Sequence, residues 1–236
     1  MRSGGFKDWG SSINFFFMQK KFKAKNVKTS QPVFQFKITL NDSQPKIWRR
    51  IVVPKEYSFF DLHVAIQDAM GWTDGHLHGF LIEKEKSSKR RTMMSFPNPE
   101  DDWAGEDNDT LDERSQYIAD YFGVIVKQCI YTYDFGDSWD HTVFFERELP
   151  ANTVVKYPQC IAGKNACPPD DCGGVWGYSE LQTAIQNPKP PRQGELLEWL
   201  GLNHPSQFDP AAFDPSGVQF QNPKKRLKEY EKGFGL

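Results

Sequence analysis

Apolar and polar side chains alternate between residues 33 and 40, with Phe34, Phe36, Ile38 and Leu40 on one side and Gln35, Lys37 and Thr39 on the other. A period of two predicts a strand with one buried face. Asn41-Asp42-Ser43-Gln44-Pro45 supplies turn residues, and Ile47 to Val53 reads as a second strand that closes an antiparallel hairpin. The period then lengthens. Phe59, Leu62, Ile66, Ala69 and Met70 fall on one helical stripe, opened by Ser58 with Asp61 as a capping box and stopped by Gly71. His63 borders that stripe and reads as a packed histidine rather than a ligand.

Further along, Leu77 to Ile82 predicts a strand, and the charged tract from Lys84 to Asp109 a long surface excursion. A short helix is expected within Leu111 to Phe122. Cys129 to Tyr133 and Trp139 to Glu146 form a second hairpin about the turn Phe135 to Ser138, and Val154 to Tyr157 an edge strand. Cys160 to Gly177, rich in Gly and Pro, is expected to be a loop held by its own contacts. Short helices follow at Tyr178 to Gln186, with Ser179 as cap, and at Glu195 to Leu200, separated by the stiff link Asn187 to Pro191. Phe208, Phe213, Val218 and Phe220 make an apolar string, and a basic helix starts at Asn222 or Pro223. The fold class is α+β: an antiparallel sheet with an early strand-strand-helix unit, a central hairpin and a C-terminal helical extension. Residues 32–187 form the domain and 188–236 the extension packed on it. Residues 1–31 are expected to be a disordered lead-in, with Met18 as an alternative start.

Composition narrows the function. Hydrophobic residues are 38% of 236 and aromatics 14%, so the core leans on Phe, Trp and Tyr. The net charge of −2 makes the chain no polycation, and nucleic-acid binding would need a local basic patch. The basic runs at Lys20 to Lys28, Lys84 to Arg91 and Lys224 to Lys228, and the acidic run Glu100 to Glu113, read as solvated faces. Four cysteines are too few for a disulfide scaffold. No apolar run reaches the roughly 18 residues of a membrane span. A cytoplasmic protein without a membrane partner is expected.

Chemistry concentrates between Tyr131 and Tyr178. Cys160, Cys167 and Cys172, spaced C-x6-C-x4-C, with His141 would make a zinc set of three thiolates and one imidazole. Asp137, His141 and Asp170 are the candidate catalytic acids and bases, with Asp134 and Asp171 nearby and Cys167 as a possible nucleophile. Asp134 to Asp137 equally fit a hairpin turn, and Asp171 can bond loop amides. His76 and His78 share a strand face, one way to offer two imidazoles to a metal or to bond beside Trp72. Arg49 and Arg50 could meet phosphates. Trp48, Trp72, Trp139 and Trp176, with Tyr131 and Tyr133, could line a groove for single-stranded nucleic acid or a peptide, with Asp134 among the binding residues, or the tryptophans could be core with their N–H groups bonded to Asp side chains. No G-x-S-x-G, H-E-x-x-H or phosphate-loop motif is present.

Ile47-Trp48-Arg49-Arg50, Leu62-His63, Met70-Gly71-Trp72, His76-Leu77-His78-Gly79-Phe80, the run Tyr133 to His141 and the run Ala166 to Gly174 together resemble the plasmid pRiA4b ORF-3-like family, a prokaryotic domain, across Phe34 to Asp214. The resemblance implies an α+β fold around an antiparallel sheet and, through labels of resolvase type, a mobile-element setting. It brings no settled activity. The chain has neither a Ser-centred recombinase motif nor a basic helix-turn-helix signature. Asp170 stands where many relatives carry Glu, which keeps the carboxylate and shortens its reach. The leading reading is a non-enzymatic binding or scaffold module for nucleic acid or protein. The second is a metal-dependent, hydrolytic enzyme with its site around Asp137, His141 and Cys160 to Cys172.

Overall fold

The computed structural model describes Met1 and residues 31–83, 91–96, 108–187 and 192–233. Strands β1 (Val33–Leu40) and β2 (Trp48–Pro54) pair antiparallel, with Phe36 opposite Ile51. Ser43 fixes the turn between them: its hydroxyl donates to Leu40 O and accepts from Ile47 N. Helix α1 (Phe59–Met70) begins at the expected capping box, where Ser58 Oγ accepts from Asp61 N and Asp61 accepts from Ser58 N. It ends at Gly71, whose φ of 98° is the left-handed conformation glycine adopts freely. Then come β3 (His78–Ile82), β4 (Arg91–Ser95), β5 (Asn108–Asp112), α2 (Ile118–Tyr121), the hairpin of β6 (Gln128–Tyr133) and β7 (Trp139–Leu149), β8 (Gln159–Lys164), α3 (Gly174–Gln186), α4 (Arg192–Trp199) and α5 (Pro223–Gly233).

The eight strands form one sheet in the order β5-β4-β3-β6-β7-β1-β2-β8. All pairs are antiparallel except β4 with β5. One set of alternating residues builds the core: Phe34, Phe36, Ile38 and Leu40 of β1, Ile51 and Val53 of β2, Tyr131 and Tyr133 of β6, and Trp139, Val143 and Phe145 of β7. The stripe of α1 packs into this same core. Aromatic edges meet faces within it, as in Phe36 with Phe122 at 4.8 Å and Phe59 with Phe80 at 5.2 Å. A separate small cluster of Phe60, Val64 and Phe96 lies on the other side of α1 and receives Leu227 and Tyr230 from α5. Among the described residues, no helix is long and apolar enough to cross a membrane.

Several expectations need correction. Residues 154–157 form no strand. Asn152 instead closes a turn, its side-chain oxygen accepting from Val154 N and its carbonyl from Val155 N. The edge strand lies beyond it at Gln159–Lys164, so Cys160 is on a strand and not in a loop. Helix α3 starts at Gly174, four residues before Tyr178, and Ser179 lies inside it rather than at its cap. The charged tract contains β4 and the first two residues of β5, and the helix expected in Leu111 to Phe122 shrinks to Ile118–Tyr121 because Leu111 belongs to β5. The rest of that tract (84–90 and 97–107), the lead-in with Met18 (2–30) and the Pro-rich link (188–191) lie outside the described residues.

Candidate functional site

Four elements converge on a polar cluster between α1 and the sheet. His63 stands on the buried side of α1. Past the Gly71 stop, the chain doubles back so that Asp74, in the left-handed region at φ 63°, faces His63. His78 is the first residue of β3, Glu113 follows β5, and Tyr131 rises from the middle of β6. Arg226 and Tyr230 reach in from α5. The side chains of His63, Asp74, His78 and Glu113 are at most 2% exposed.

The histidine rings lie face to face, 3.3 Å between centroids and 2° between planes. Each has one nitrogen held from outside the pair. His63 Nδ1 is 2.8 Å from the Tyr131 hydroxyl, which also accepts from Gln67 Nε2 at 2.9 Å. His78 Nε2 lies 3.0 Å from both oxygens of Glu113. A proton on His78 Nε2 faces Glu113 and leaves His78 Nδ1 as a lone pair, whereas the Tyr131 hydroxyl, already accepting from Gln67, can donate to His63 Nδ1 and leave the His63 proton on Nε2, toward Asp74. Asp74 is held the same way: Arg226 Nη1 donates to its Oδ2 at 2.7 Å, and Oδ1 is left over. His63 Nε2 and Asp74 Oδ1 are 2.9 Å apart, a contact that helps hold the Asp74 carboxylate in its charged form.

Charge sharpens the picture. Arg226 pairs with both Asp74 and Asp68, and Glu113 pairs with His78. Burial, and then the neighbouring His78, press His63 below its ordinary pKa and oppose its protonation. Burial alone would raise Asp74, but His63, His78 and Arg226 outweigh it and hold the carboxyl below its usual range. Burial raises Tyr131 and Tyr230, so both remain phenols. His63, Asp74 and His78 each place one donor atom within 4.8 Å of the others. Two imidazoles and a carboxylate are the ligand types of divalent first-row metals, and an outer partner on each ligand is the usual support of such a centre.

A second group of this kind among the described residues is His76, Asp134 and Asp171. His76 Nε2 is 3.2 Å from Asp171 Oδ1 and His76 Nδ1 3.7 Å from Asp134 Oδ2, with Asp171 70% exposed. This is an open ion-pair triad on the rim. His76 and His78 therefore do not present to one point: β3 begins at His78, and His76 precedes it in the loop.

The other residues singled out from sequence take different places. The donors of Cys160, Cys167, Cys172 and His141 do not gather, since among the described residues only the two groups above bring three together. Burial raises all three thiols, Cys172 to about 12. His141 is buried, with Nδ1 3.3 Å from Tyr131 O and Nε2 without a partner, and burial pushes its pKa down to about 4. Asp137, Asp134 and Asp170 hold loops: Asp137 Oδ2 accepts from Gly173 N, Asp134 Oδ1 from Gly136 N, and Asp170 Oδ2 from Thr73 N and Oγ1. The packing they secure is close, for a Cβ on Gly174 would fall 2.4 Å from Asp137 O. Trp72 and Trp139 are core. Trp72 Nε1 donates to Pro168 O rather than to an Asp, and Trp139 Nε1 has no partner. Arg49 is buried beneath Phe213, bonding Ala69 O, Trp48 O and Lys164 O, and Arg50 is paired to both oxygens of Glu146. Sequence reading missed Asp74, Glu113, Arg226 and Tyr230, and set His63 aside. The available signal was Asp74 so close to His76 and His78, just after a helix with a histidine on its buried edge.

Comparison with known proteins agrees with the resemblance seen in the motifs. The family model described as Plasmid pRiA4b ORF-3-like protein matches residues 32–217. An uncharacterized protein, y4hQ, of Sinorhizobium fredii is 35% identical over 180 residues, covering 76% of this chain and 85% of its own length. The crystal structure of a protein of unknown function, MM3350, from Methanosarcina mazei Go1 superposes with a TM-score of 0.69 at 38% identity, covering 81% of this chain and all of that one.

Proposed function

The chain belongs to the plasmid pRiA4b ORF-3-like family, and we propose that it is a divalent-metal protein whose centre is His63, Asp74 and His78. The observation that carries this reading is the convergence of one donor atom each from His63, Asp74 and His78 within 4.8 Å of one another, on side chains at most 2% exposed. Donors about 2.1 Å from one ion at tetrahedral angles stand about 3.4 Å apart, so His63 and Asp74 would separate by about half an ångström to hold one. Tyr131, Arg226 and Glu113 support the three ligands from behind.

Three protein ligands leave coordination positions for water, the arrangement of catalytic rather than structural zinc. A bound ion there would supply an activated water for metal-assisted hydrolysis. The hydrolytic reading thus keeps its chemistry with a different address. A nucleic-acid partner has less support, because the donors of Arg49 and Arg50 are engaged within the protein.

Elemental analysis of the purified protein tests this. About one equivalent of a first-row metal is expected, lost in His63→Gln and His78→Gln and retained in Cys160→Ser and Cys172→Ser. The reverse pattern would move the centre to the thiols, and metal-free protein that takes up no Zn(II), Mn(II) or Fe(II) would end the proposal.

A further inference from the structure

The side chains of the proposed centre are at most 2% exposed in this conformation. We propose that α5 is a detachable cap, whose lifting from α1 opens the way for an ion or substrate to reach His63, Asp74 and His78. The purpose of the motion rests on the metal reading, and the motion itself is measurable without it.

The cap is placed over the site. Tyr230 on α5 sets its hydroxyl 3.4 Å from His78 Nδ1, the lone pair the metal would use, and 3.4 Å from His76 O. One turn earlier, Arg226 covers Asp74. Removing α5 would uncover two of the three ligands at once.

The attachment is narrow. In the sequence Pro-Lys-Lys-Arg-Leu-Lys-Glu-Tyr-Glu-Lys-Gly, Leu227 and Tyr230 are the two large apolar residues. They pack on the satellite cluster of Phe60, Val64 and Phe96 rather than in the main core. The Tyr230 ring also meets those of His63 and His78, and polar fastenings include Arg226 to Asp74 and Asp68, Gln221 N to Asp68, and Glu231 to Arg114 at 3.6 Å. An element with few apolar contacts opens at lower free energy than core strands. A cleft of about 1000 Å³, bordered by Phe60, Asp61, Lys224 and Leu227, runs along the base of α5.

Hydrogen–deuterium exchange on the full chain tests the motion. Amides of α5 should exchange at least ~10-fold faster than those of β6 and β7, and faster again in Leu227→Ala or the milder Leu227→Val, with β6 and β7 unchanged. Protection of α5 equal to that of β6 and β7 would overturn the cap, whatever the metal content. Stripping of Co(II) by a chelator tests the purpose. Leu227→Ala should release the ion ~10-fold faster at unchanged stoichiometry, since Leu227 touches no ligand. Equal release rates would overturn the gate. A wild-type chain that takes up no metal would remove the metal reading, and the gate with it, even if α5 exchanges fast.

Discussion

Acidification should unfold this protein in part through one side chain, His141. Its ring is fully buried between Tyr131 and Trp72, with Arg49 opposing any added positive charge. Its pKa is about 4 in the fold and about 6.5 in the unfolded chain. The unfolded chain therefore binds the proton first, so the folded state loses stability as pH falls through 6.5 and stops losing it below about 4. Between pH 8 and pH 4.5 this single group should cost about 2–3 kcal/mol, at about 1.4 kcal/mol per pH unit in mid-range. Carboxylates titrate over the same interval, so the quantity to measure is wild type minus His141→Phe, which keeps a ring and removes the proton site. Urea unfolding at half-unit steps gives both curves. The difference should grow by 2–3 kcal/mol in favour of the variant on going to pH 4.5. A difference flat within about 0.5 kcal/mol would mean that the imidazole has water or a proton acceptor the fold does not show, and the reasoning from burial would fail.

Two further substitutions test the packing. Ser58→Ala removes the cap of α1 and should cost about 1 kcal/mol in thermal or urea unfolding, and a neutral result would mean that Asp61 alone holds the first turn. Arg49→Met strips donors from Ala69 O, Trp48 O and Lys164 O and should cost about 2–4 kcal/mol in urea unfolding. Unchanged stability together with lost nucleic-acid binding would restore the phosphate role that the sequence first suggested.

The regular part of the fold could be read from the sequence because it is governed by local periodicity. β1, β2, α1, β6 and β7 all carry a clear period of two or a helical stripe with end signals. The errors fall where local pattern and tertiary pairing diverge. Val154 to Tyr157 looks as strand-like as Gln159–Lys164, and only the pairing of Ile51 with Cys160 decides between them. The cysteines drew attention by rarity, whereas the polar cluster is assembled from singly unremarkable residues far apart in sequence. Glu113 sat in an acidic run and Arg226 in a basic one, and each reads as a solvated charge until β5 and α5 are placed. His63 looked like a packing residue because it borders an apolar stripe, and it does pack, with its ring on His78.

The centre of the sheet has a consequence for how the chain comes together. β1 is paired along its whole length with β7, from Val33 opposite Leu149 to Leu40 opposite His141. On one side of this seam lie β2 and β8, on the other β6, β3, β4 and β5. As the chain is made, the first hairpin and its helix must therefore wait, with β1 unpaired along one edge and its apolar face covered only in part by α1, until β7 has emerged. Assembly is limited by closing this long loop, which favours slow folding. During that wait the unpaired edge of β1 is the surface most open to a wrong partner.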